Sequence, residues 1–264
     1  MKFSQAERDE IKRALIEEAG RDEAIVAAAV FGSAARGEED AWSDIDLGFA
    51  VAKDADIIDI CERWTALMKH RYAVCDTLDV LSHGALYRVF WLDNTLQIDL
   101  SFWPEEAFVL FGEEPELLFG AARREKIPPP DVNQLIGRGW LYMLHARSYI
   151  SRSRTWQAHL MLESWRDQIF MLLCYRLHIA YDKGLGIDSL PPKILQSIAE
   201  CMPVSPNRAE HCLCFIGLSE FYMEEVKVID IDRAKKLIIP VRQMQTEIRE
   251  LLRTLEDDEE KEDD

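Results

Sequence analysis

No stretch of this 264-residue chain approaches the roughly 18 consecutive apolar residues that a membrane-spanning helix needs, although 48% of its residues are hydrophobic, enough for one or two buried cores. The opening residues Met1 to Glu10 carry charges where a secretion signal requires an apolar segment. A cytoplasmic protein without a membrane partner is expected. Six cysteines, at positions 61, 75, 174, 201, 212 and 214, follow no disulfide framework in a chain of this size, so reduced core thiols are expected. His211-Cys212-Leu213-Cys214 lacks the second ligand pair of a zinc site and reads as helix packing. No internal repeat is visible.

Basic residues are also in short supply. Lys and Arg number 31 against 48 Asp and Glu, for a formal net charge of −17. The segment Glu256 to Asp264 holds eight acids and one base, so it contributes −7 and leaves −10 on the body. Long nucleic-acid substrates are disfavoured, because their binding draws on Lys and Arg clusters to displace counterions. An acidic cleft suits a small cationic acceptor instead.

What the chain does contain is a distinctive pair of motifs. Val26 to Phe31 is apolar enough for a buried strand and runs into Gly32-Ser33-Ala34-Ala35-Arg36-Gly37. Gly32 permits a tight turn where backbone can approach a ligand. Ser33 stands where a helix can begin, so its hydroxyl and the amides around it can receive phosphate oxygens. After a short acidic turn comes Ser43-Asp44-Ile45-Asp46-Leu47. Alternation along a strand turns Asp44 and Asp46 to one face and Ile45 and Leu47 to the core. Carboxylates at i and i+2 lie about 7 Å apart along a strand, near enough to converge on hard cations, which relieve their mutual repulsion. A third acid, Asp99, alternates with Leu96, Ile98, Leu100 and Phe102 on a later half-buried strand.

Gly32-Ser33, the spacing to Asp44-x-Asp46, and the later acid resemble the DNA polymerase β-type nucleotidyltransferase superfamily over roughly residues 24–103. The helical remainder resembles the antibiotic nucleotidyltransferases that modify aminoglycosides and lincosamides. The resemblance implies that Gly32 and Ser33 bind the triphosphate of ATP or another nucleoside triphosphate. It implies that Asp44 and Asp46 bind Mg²⁺, two ions being expected, and that Asp99 binds metal or deprotonates the acceptor hydroxyl. Arg36 and Ser43 join the candidate nucleotide-binding residues; Arg36 could equally offset Glu38, Glu39 and Asp40.

Ser4 to Ala19 reads as an amphipathic helix capped by Ser4 with Glu7 at its third position. Strands are expected near 24–31, 44–52, 74–81, 86–92 and 95–103, with a helix near 54–70 and a hairpin turn at Asp93-Asn94. Pro128-Pro129-Pro130 marks a boundary. Beyond it, 131–153, 155–182, 190–202, 206–227 and 231–256 read as helices of a bundle. The expected fold class is α+β: a nucleotidyltransferase domain over 1–127 with a mixed sheet and flanking helices, an all-α bundle over 131–256, and an acidic disordered tail over 257–264.

On the second bundle helix, Glu163 and Asp167 share a face at i, i+4 and are candidate acceptor-binding acids: the resemblance to the antibiotic-modifying enzymes implies an acceptor between the two domains, where an acid on this helix could bind a cationic ring or act as base. Arg138 and His145 give a competing reading. Their spacing resembles the HEPN ribonuclease motif, which accompanies small nucleotidyltransferases in toxin–antitoxin pairs acting on protein or RNA. A noncatalytic nucleotide-binding relative is a third alternative, opposed by the presence of all three acids. A homodimer is compatible with the sequence.

Overall fold

The computed structural model describes residues 2–112, 115–181 and 184–262. The chain divides into two compact units, 1–128 and 129–264.

The first unit opens with α1 (Gln5–Arg21), whose N-terminus carries the capping box expected of Ser4 and Glu7: the Glu7 amide donates to Ser4 Oγ, and Ser4 N–H donates to Glu7 Oε2 at 2.7 Å. Then follow β1 (Ile25–Val30), the short α2 (Gly32–Arg36), β2 (Ile45–Val51), α3 (Ile57–Arg71), β3 (Val74–Ser82), β4 (Ala85–Leu92) and β5 (Gln97–Pro104). Three further short strands complete the unit: β6 (Val109–Phe111), β7 (Glu116–Phe119) and β8 (Arg123–Glu125). The main sheet has the order β3-β4-β5-β2-β1-β7, with β2 and β5 parallel and the other neighbours antiparallel; β6 and β8 pair separately. This is the mixed sheet with helices that the sequence predicts.

Residue alternation divides the sheet into two faces. Leu47, Phe49, Ile98, Leu100 and Phe102 point to one core, where Leu15 of α1 and Trp64 and Met68 of α3 pack against them. The Phe49 and Trp64 rings lie 4.7 Å apart between centroids, tilted at 40°, and Trp64 Nε1 donates to Asp22 Oδ2 at 2.9 Å. The opposite face carries Ala27, Ala29 and Ala50 at one end, covered by Trp103, Phe108 and Leu110. The same face also holds the polar residues of β2 and β5 and, farther out, Val89 and Trp91 of β4 and Leu78 of β3.

The strand expected over 95–103 begins at Gln97, because Thr95 adopts a left-handed conformation (φ 71°) and closes a turn in which Leu92 N–H donates to Leu96 O at 3.0 Å. The strand expected over 44–52 begins at Ile45, so Asp44 stands just outside β2.

The second unit holds α4 (Val132–Ser151), α5 (Thr155–Leu177), α6 (Pro192–Glu200), α7 (Arg208–Ile229) and α8 (Ile231–Glu262). Asp131 and Asn207 cap α4 and α7 with their side chains. Met143, Trp165, Leu172, Phe215, Leu218 and Tyr222 form the centre of its core, and Tyr222 donates to Ile136 O at 2.6 Å. Helix α5 stops short of the expected 182, which lies outside the described residues, because His178 turns left-handed (φ 55°) and ends the hydrogen-bond ladder. Where an acidic tail is expected from 257, α8 continues to Glu262, in keeping with the good helix propensity of Glu and Lys; residues 263 and 264 lie outside the described ones.

Candidate active site

The site grows from the β1–α2 corner. Gly32 has φ +63°, a backbone conformation that suits glycine, and α2 starts there with no side chain capping it. The first amides of the helix, around half-buried Ser33, are therefore available to an anion. Phe31 N–H donates to Asp46 O at 3.0 Å, which ties the corner to β2. A Cβ added at Gly32 would lie 3.4 Å from Asp46 Oδ2, so the carboxylate stands within contact distance of the turn.

Register supplies the second carboxylate. In the parallel pairing of β2 with β5, Asp46 is directly opposite Asp99. Neighbouring strands are about 4.8 Å apart, so the two half-buried acids stand side by side on the face away from α1 and α3. Gln97 Nε2 donates to both Asp99 oxygens, at 3.0 and 3.2 Å. Next along the strands Gly48 faces Ser101, and Phe31 occupies the space above Gly48: a Cβ there would come within 2.4 Å of Phe31 Cε2. Trp103 Nε1 donates to Ser101 Oγ at 3.0 Å. Burial, and then the Asp46 charge, push the Tyr87 phenol up to about 12, so Tyr87 stays a neutral hydroxyl beside the acids. Gly48, Phe31, Gln97 and Tyr87 were not singled out by the sequence reading. Only the i−2 spacing of Gln97 from Asp99 was a readable signal.

Asp44, half-buried, borders a cavity of about 270 Å³ lined also by Phe3, Trp42, Ser43, Thr95 and Gln97. Ser43 closes the preceding turn: its hydroxyl accepts from Asp40 N–H at 2.9 Å and lies 3.2 Å from Asp40 Oδ1. Arg36 Nε donates to Glu38 Oε2 at 2.7 Å. Glu39 pairs with Lys12 at 2.6 Å and with the buried Arg8 at 3.6 Å, and Arg8 also donates to Asp40 O. The acidic loop is thus anchored to α1, and it leads into Asp44, which shares its cavity with Gln97, the partner of Asp99.

In the second unit, Glu163 lies 3.6 Å from His159 Nε2 and Asp167 accepts from Arg166 at 2.9 Å. His159 Nδ1 is 3.2 Å from His211 Nε2. Arg138 and His145 are exposed on α4, His145 resting against Tyr149 with 6.1 Å between ring centroids. Cys212 and Cys214 are buried, and burial pushes their thiols up to about 11 and about 12.

Residues 13–87 correspond to the family model described as Polymerase beta, Nucleotidyltransferase. That segment matches a nucleotidyltransferase domain. It contains Gly32, Ser33, Arg36, Ser43, Asp44 and Asp46, while Asp99 lies beyond it and is set opposite Asp46 by the β2–β5 register. Among solved structures, the crystal structure of an aminoglycoside 6-adenyltransferase from Bacillus subtilis is similar at 10% identity, covering 89% of this chain and 96% of that chain with a TM-score of 0.41. No curated protein matches the chain. Among the described residues, no helix is long and apolar enough to cross a membrane.

The fit to a metal follows from donor chemistry. Among the described residues no group of three or more His, Cys, Asp or Glu is placed to hold an ion by itself. Mg²⁺ rarely needs such a cage: it takes one or two carboxylates and completes its shell with water and substrate phosphate. Asp46 and Asp99 side by side offer hard oxygen donors of that kind, and Asp44 lines the cavity that Gln97 also borders.

Proposed function

We propose that this chain is a magnesium-dependent nucleotidyltransferase that moves AMP from ATP onto a hydroxyl of a small acceptor, an aminoglycoside- or lincosamide-like molecule. The observation that carries the reading is the placement of Asp46 opposite Asp99 and in contact with the Gly32 corner. Three jobs are covered by that arrangement. The amides of α2 and the Ser33 hydroxyl hold phosphate oxygens. Asp44, Asp46 and Asp99 would hold magnesium, which when bound neutralises charge on the triphosphate. Asp99, steadied by Gln97, accepts the proton from the attacking hydroxyl.

The acceptor oxygen bonds to the α-phosphorus, the bond from that phosphorus to the bridging oxygen breaks, and pyrophosphate departs with the electron pair. Catalysis of this type is mainly positioning and electrostatics. The test is to incubate the protein with ATP, Mg²⁺ and a panel of aminoglycosides and lincosamides, measuring pyrophosphate and the mass of each acceptor. An acceptor heavier by one adenylyl group (AMP less water), formed by the wild type and not by Asp44→Asn, is the expected result. Equal turnover by the Asn variant would refute the assignment.

A further inference from the structure

The acid pair is one end of a longer row. Asp99 is opposite Val89 on β4, and Val89 is opposite Leu78 on β3, so Asp46, Asp99, Val89 and Leu78 stand in line across four strands on one face. The adjacent row runs from Gln97 through Trp91 to Asp76. At about 4.8 Å per strand, Leu78 lies roughly 10 Å from Asp99, the span of one or two six-membered rings. Leu78 is 62% exposed and Trp91 56% exposed; on β4 the apolar residues of the opposite face, Leu86, Phe90 and Leu92, are buried, while Leu81 on the opposite face of the edge strand β3 is exposed as well. By strand alternation, β2 to β5 bring no Lys or Arg to this face, and Arg88 points the other way, into Asp79, Glu62 and Thr65.

We propose that this ledge is the acceptor platform. It rests on the nucleotidyltransferase reading above and specifies the substrate class: a cyclic, hydroxyl-bearing amine with an apolar ring face. The ring face stacks on Trp91 and Leu78, its cationic group is attracted to Asp76 and to the indole face, and its hydroxyl reaches toward Asp99. Anionic acceptors are rejected, since they would meet three carboxylates and no basic side chain on these strands. Trp91 and Leu78 are specificity residues, distant from the reacting atoms.

The experiment has two arms. In the first, binding of magnesium and a nonhydrolysable ATP analogue is measured on the full chain; failure to bind overturns the nucleotidyltransferase reading itself. In the second, initial rates of pyrophosphate release with kanamycin and lincomycin are compared for wild type, Trp91→Ala, Trp91→Phe and Leu78→Ser. For the better acceptor, Trp91→Ala and Leu78→Ser should raise the acceptor KM about tenfold while kcat and the KM for ATP stay within threefold, and Trp91→Phe should recover most of the loss. Several results would overturn the platform while leaving the nucleotide reading intact. These are an unchanged acceptor KM, no turnover of either amine by a protein that binds magnesium and nucleotide, or a wild-type dimer that Leu78→Ser dissociates with acceptor KM unmoved.

Discussion

Replacing Gly48 with Ala tests how the phosphate corner is held in place. The new Cβ would stand 2.4 Å from Phe31 Cε2, 3.2 Å from Phe31 Cζ and 3.0 Å from Ser101 Oγ. Carbon atoms rest about 3.5–4.0 Å apart, so the Phe31 ring must retreat by roughly 1 Å. Overpacking of this size costs about 1–3 kcal/mol. Removing a glycine from a strand returns about 0.5–1 kcal/mol. A net loss near 1–2 kcal/mol follows, which for a unit of this size lowers Tm by about 4–8 °C. Phe31 immediately precedes Gly32, so the variant should also raise the KM for ATP more than it lowers kcat. Urea denaturation with matched nucleotide kinetics measures both, and Phe31→Ala in the same background should remove most of the clash, giving non-additive losses. If Gly48→Ala is as stable as wild type with an unchanged KM for ATP, the argument that Phe31 fixes the corner fails.

Ser33→Ala should weaken ATP binding by about 1.5–3 kcal/mol, the worth of one hydrogen bond to a charged group, without changing Tm; titration calorimetry checks this. His211 is buried beside His159, and burial followed by the His159 charge holds its pKa below 6.5. The folded state then binds fewer protons than the unfolded chain. Stability of the helical unit should fall as pH drops below about 6.5, and His211→Gln should flatten that slope in thermal melts between pH 5 and 8.

The parts of this molecule that were readable from sequence are those fixed by local chemistry. The Ser4–Glu7 capping box, the turn after Leu92 and the Gly32-Ser33 corner each depend on a few neighbouring residues. Alternation in Leu96 to Phe102 marked β5 because one face of it is buried and the other is not. The position of Asp46 relative to Asp99 was a different matter. It depends on a parallel pairing between strands over fifty residues apart, and a shift of one residue would have sent Asp99 to the opposite face. Strands β6, β7 and β8 span three or four residues, too few for alternation to register. Asp44 was expected inside the strand, yet its position is set by the loop that Arg8 and Lys12 anchor, a contact between side chains distant in sequence.

The central claim is that Asp46 and Asp99 act together on one magnesium-loaded nucleotide. Binding of a nonhydrolysable ATP analogue, titrated with and without Mg²⁺ for wild type, Asp46→Asn and Asp99→Asn, addresses it directly. Wild-type affinity should rise at least tenfold with Mg²⁺, and each substitution should abolish that increment while leaving the metal-free affinity and the far-UV spectrum unchanged. An undiminished magnesium effect in both variants would contradict the account.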